Sequence, residues 1–276
     1  MKLTQLLFFV LTVLVLTHCK NDPESFTVIN SESLHETQVE LIVPSLHESR
    51  VELRAGNDSV RLGDADLDEL DRMNSLFEQV RQSASDPQWR ELLRQWNDFN
   101  DRYVGDSRSL FKRNASSQGD IKSPLPAPAA EKWARLNAGL LKLSGKVRFG
   151  DALEILLYDN HEFMFPDSLL KSVIYTHVFD DIYINLFGSS SMEYQHTTGG
   201  TVSLTQETNY PEEAEMTLTI ETGDIRFMNV YIRIPSWAIN PEVSYGNVKY
   251  VARPGEYSLI SKKWRTGDEI RVALRN

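Results

Sequence analysis

The residues with the most chemical potential are few and scattered. Two near-identical stretches, SLHETQVEL (33–41) and SLHESRVEL (45–53), each place a His beside a Glu. His35, Glu36, His47 and Glu48 could in principle ligate a metal. Neighbours in a strand project to opposite faces, however, so a His–Glu dipeptide cannot readily offer both groups to one ion. The alternating Val39/Leu41 and Val51/Leu53 instead fit a solvent-facing hairpin, turned at Pro44. A second candidate is Glu131, which heads the apolar-periodic stretch EKWARLNAGLLKLSG two residues before Trp133. It reads either as a relic of a reactive site or as a first-turn acid favoured by a helix dipole. The third is Cys19, the single cysteine of the chain, so no disulfide within the chain and no thiolate cluster can form.

The surrounding elements limit these readings. The 276 residues, 41% hydrophobic and 25% charged, can bury one sizeable core or two modest ones. A formal net charge of −10 and the lack of any basic block argue against nucleic acid as a partner. Met1-Lys2 and the apolar run Leu6–Leu16 read as an export signal, too short to cross a bilayer comfortably. The run ends in Leu16-Thr17-His18-Cys19, which resembles a bacterial lipobox, with His18 where a small residue is usual. A lipid on Cys19 would anchor the chain to a membrane of the bacterial cell envelope. The alternatives are an uncleaved anchor or a plain export signal.

From Asp66 to Tyr103 the period is helical, with Asp86-Pro87 marking the start of a second helix. Its Trp89, Trp96 and Phe99 fall at core spacing rather than as a sugar platform. Residues 105–130, with SPLPAPAA, read as a linker. Two helices follow, predicted over Glu131–Ser144 with Gly145 as C-cap and over Phe149–Tyr158. Beyond Ser172 the period becomes two. The segments 173–179, 181–187, 201–210, 215–222, 229–238 and 269–275 read as strands of a β-sandwich. The expected class is α+β: a partial helical, α/α toroid-like region, then an antiparallel sandwich. The expected division is a signal at 1–19, an N-terminal region at 20–125, a helical hairpin at 126–170 and the sandwich at 171–276.

Several phrases within the C-terminal half resemble the β-L-arabinofuranosidases of glycoside hydrolase family 127. They are DIYINLF (181–187), LTQETNYP (204–211), YIRIPSWA (231–238) and WRTGDEI (264–270), preceded by FGDALE (149–154) and LYDN (157–160). The resemblance covers roughly residues 130–276. It implies the end of an α/α barrel followed by a sandwich, and a site in which zinc-bound Cys is the nucleophile and Glu the acid/base. Carried over by position, Glu131 matches a metal-ligand Glu, Trp133 stands where the motif has Cys, and the stretch 163–170, expected to hold a Cys pair, has none. A segment found in family members is also missing after Asn160. No zinc or other cofactor is therefore expected, since thiolates are both ligands and nucleophile there. A carboxylate pair about 5–10 Å apart could replace them, and Glu131, Glu154 and Glu162 are available, but nothing in the sequence selects a pair. The expectation is a truncated or degenerate, glycan-associated relative. An active carboxylate hydrolase, or a binding module offering Trp237, Tyr231 or Tyr245 to arabinose-containing glycans, are the alternatives.

Overall fold

A computed structural model describes residues 38–41, 64–83, 85–104, 125–158, 160 and 163–274. Cys19, both His–Glu pairs and Glu162 lie outside the described residues.

Among the described residues, five α-helices precede most of the strands. Helix α1 (Asp64–Ser83) packs against α2 (Asp86–Phe99) and α3 (Ala127–Ser144). Its Leu70, Met73, Phe77 and Val80 recur at three- and four-residue spacing and are all buried. In α2 the N-cap is Ser85, so Asp86 is the first helical residue rather than the cap, with Pro87 in the first turn. The chain leaves α2 through a wide π-turn (Asn100–Val104). Trp89, Trp96 and Phe99 are all buried, as their spacing predicts.

Helix α3 begins four residues earlier than expected, because Pro126 stops the extended chain and Pro128 suits a helix's opening turn. It ends where expected, with Gly145 left-handed (φ 61°) and its N–H on the Leu141 carbonyl at 2.7 Å. Helix α4 (Val147–Tyr158) is apolar almost all round and buried along nearly its whole length. That is the signature of a helix enclosed on more than one side. A fifth helix, α5 (Asp167–Ile174), takes Val173 and Ile174 from the expected strand, leaving only Tyr175–Val178 extended.

The remaining strands are β1 (Gln38–Leu41), β2 (Tyr175–Val178), β3 (Asp181–Ile184), β4 (Ser190–Gln195), β5 (Thr201–Thr208), β6 (Glu215–Glu221), β7 (Arg226–Arg233), β8 (Glu242–Tyr245), β9 (Val248–Val251), β10 (Tyr257–Trp264) and β11 (Asp268–Ala273). They form a seven-stranded sheet, β1-β4-β5-β6-β11-β8-β9, and a four-stranded sheet, β10-β7-β3-β2. All pairs are antiparallel except β3–β7, which is parallel. The seven-stranded sheet thus includes β1, taken from the first of the two echoed stretches and paired with β4. The expected hairpin partner of that strand lies outside the described residues.

Alternation places Ile182 and Ile184 against the core while Tyr183 faces outward to stack on Tyr231 at 4.4 Å. The two sheets meet through residues such as Tyr194, whose hydroxyl reaches Met228 Sδ at 3.1 Å. Helix α4 covers one end of the outer face of the four-stranded sheet, and the bond between them is polar.

Candidate functional site

Glu131 lies in the second turn of α3, whose first turn holds no acidic residue, so the dipole does not explain it. Its carboxylate is about half exposed and receives Arg135 at 2.8 Å, one turn along the same helix. Trp133, two positions on, points the other way and is fully buried. It stacks on Trp96 at 5.4 Å and meets Phe99 at 4.8 Å, while Asn137 bonds both the Trp96 indole and the Trp133 carbonyl at 2.8 Å. The position where the resemblance places a metal-bound thiolate is therefore the centre of the helical core.

Glu154 has the opposite surroundings. It is completely buried on α4 and receives Arg233 of β7 at 2.9 Å. Asp151, one turn earlier on α4, takes the other arm of the same guanidinium, and its second oxygen accepts from Ser236 Oγ at 2.6 Å and Ser236 N at 3.2 Å. The Arg233 Nε donates to the Asn185 carbonyl. The guanidinium thus ties α4 to the sheet at two points and is itself held by the Asn185 carbonyl. Gly150 makes room for it: a Cβ there would lie 2.7 Å from Arg233 Cδ. The buried Trp237 indole faces the same Glu154 carboxylate.

One cation facing two carboxylates leaves an excess negative charge in a dry place. Burial is the main influence on Glu154 and pushes its carboxyl up to about 7, with the Arg233 charge opposing. Burial raises Asp151 as well, against Arg233 and the two Ser236 bonds. A raised carboxyl in a cleft would suit an acid catalyst. Here every side is occupied by protein, so the cluster acts as a fastener.

Glu131 and Glu154 are therefore not brought together as a working pair: one faces solvent with Arg135, the other is sealed beneath Arg233. The sequence reading missed Arg233 and Asp151, whose link spans 82 residues and leaves no local pattern. The aromatic candidates also shift. Trp237 is buried, and Tyr231 has one face occupied by Tyr183. Tyr245 is half-buried, with Lys262 over its ring.

Residues for the zinc of the resembled family do not fit. Glu131 is turned away from Trp133, residues 20–276 contain no cysteine, and among the described residues no three His, Cys, Asp or Glu converge on a common point.

Residues 181–275 match the family model for the β-L-arabinofuranosidase GH127 middle domain. The fold is similar to that of a GH127 β-L-arabinofuranosidase from Geobacillus stearothermophilus T6, with 18% identity and a TM-score of 0.55 over 74% of this chain and 41% of that one. A second GH127 β-arabinofuranosidase gives the same identity and TM-score, covering 74% of this chain and 42% of its own. The C-terminal part of the chain is GH127-like. The chain spans about two-fifths of the length of these two solved structures. No curated protein matches it. The GH127-like match begins at β3 and ends at β11, so it takes in Arg233 but neither Glu131 nor Glu154.

Proposed function

We propose that this chain is an exported, glycan-associated protein that keeps the GH127-like sandwich without zinc–thiolate hydrolysis. The observation carrying this reading is the burial of Trp133 between Trp96 and Phe99, on the opposite side of α3 from Glu131. A reactive centre cannot be formed around a packed indole, and the two carboxylates best placed by sequence are engaged by Arg135 and Arg233. Arabinose-containing oligosaccharides are the ligands that the resemblance favours. Attachment to a membrane would come through a lipid on Cys19, supported by the apolar run that precedes it.

The test is titration of the protein with linear arabino-oligosaccharides by calorimetry, together with chromatography of the sugars afterwards. Binding with the oligosaccharides recovered intact is the expected result. Released arabinose, lost on Glu154→Gln, would support a carboxylate hydrolase instead. For the anchor, Cys19→Ala should release the protein from the membrane fraction or leave an uncleaved precursor, and unchanged fractionation and mass would exclude it.

A further inference from the structure

The four-stranded sheet has a second, uncovered end, opposite in strand direction to the Arg233 fastener. A shallow cleft of about 490 Å³ opens there between the β2–β3 turn, the β4–β5 loop and the start of β7. Phe179 and Phe227 line it and are 65% and 54% exposed. Phe179 occupies the first position of a two-residue turn, Phe179-Asp180, at φ 54°. Gly or Asn is the usual occupant of such a position, and a bulky side chain there is strained. A strained, water-exposed ring is a local rule broken without benefit to folding, which points to a role outside the fold.

The cleft is held in shape. Asp180 accepts from Thr197 N at 3.1 Å, from the Thr197 hydroxyl and from Tyr194, which ties the turn to the neighbouring loop. His196 Nδ1 accepts from Thr198 N at 3.1 Å, so its Nε2 carries the hydrogen and faces the Phe227 carbonyl at 3.2 Å. On the floor, Asn229 Nδ2 donates to Asp181 Oδ1 at 2.7 Å. Asn229 Oδ1 is itself buried, so the acceptor that the floor presents is the part-exposed Asp181 carboxylate. Two apolar rings thus flank a carboxylate on a rigid frame.

We infer that this cleft binds a neutral sugar residue of a glycan chain. C–H faces of the ring would lie on Phe179 and Phe227, and hydroxyls would donate to the Asp181 carboxylate. The pairing of an apolar face with adjacent donors is what a sugar ring offers. An organic cation fits less well, because Asp180 already has its hydrogen-bond donors and the exposed Lys263 lies directly opposite Phe227 in the β10–β7 register. The inference rests on the glycan-associated reading and locates its site.

The experiment titrates linear arabino-oligosaccharides and xylo-oligosaccharides into the full chain and into Phe179→Gly, Phe227→Ala and Asp181→Ala. Each substitution should weaken binding about tenfold or more. Phe179→Gly should do so with an equal or higher thermal midpoint, since it relieves the turn, which separates lost contact from lost fold. Undiminished binding by all three variants would overturn the cleft while leaving glycan binding itself intact. Failure of the parent chain to bind either oligosaccharide would overturn both. Displacement of bound sugar by tetramethylammonium at low concentration would make the cleft a cation site and overturn the inference.

Discussion

Glu131 and Trp133 are two positions apart on α3, and a turn of 3.6 residues sets such neighbours about 200° apart. One therefore meets solvent when the other meets the core. The Arg135 partner of Glu131 could be read directly from its i+4 spacing, as could the core placement of Trp89, Trp96 and Phe99. The helix start could not, because the proline-rich run before it reads equally as linker and as a helix's first turn. Restoring the motif cysteine by Trp133→Cys should place a thiol beneath Trp96 and Phe99, not beside Glu131. The expected cost is about 3–5 kcal/mol, from the cavity left by the indole. Zinc should give no compensating rise in thermal midpoint. Chemical denaturation with and without zinc tests this, and zinc-dependent rescue would mean that the helix can present both residues to one ion.

At the scale of elements, alternation was the dependable signal. It placed β5, β6 and β11, and it found β3 and β7 with shifted bounds. These two end at Ile184 and Arg233, short of the expected 187 and 238, and β7 begins three residues early at Arg226. The burial of Ile182 and Ile184 follows from the alternation. It failed where strands are polar or lie at an edge. Strand β9 exposes most of its side chains, and β4 mixes Ser, Glu and Gln with its buried Met192 and Tyr194. It also failed at 173–174, where a helix runs straight into a strand through three consecutive buried residues, Val173, Ile174 and Tyr175. No sequence pattern could reveal the α4–β7 fastener, because its charges lie on separate elements 79 or more residues apart.

That fastener has a pH signature. Glu154 titrates near 7 in the fold and near its ordinary 4.5 when unfolded. Between those values the folded chain holds the extra proton, so stability falls as pH rises from about 4.5 to about 7. The slope from this group is at most about 1.4 kcal/mol per pH unit. Glu154→Gln should flatten that decline and gain relative to the parent as pH rises. Urea unfolding at pH 5 and pH 7.5 measures it, and parallel profiles for the two proteins would exclude a raised Glu154.

Across the whole molecule, a helical group and a two-sheet sandwich are joined by a buried ionic cluster. Arg233 and Glu154 are fully enclosed, the acid at the head of the motif faces water, and the exposed aromatic chemistry lies at the far end of the four-stranded sheet. With a packed indole at the motif position, the chain should hold no zinc–thiolate centre. The direct measurement is zinc stoichiometry by elemental mass spectrometry on protein lacking residues 1–19, paired with turnover of an aryl β-L-arabinofuranoside with and without added zinc. Substoichiometric zinc and no zinc-dependent turnover are the expected results. One zinc per chain with zinc-dependent hydrolysis abolished by Glu131→Gln would contradict it.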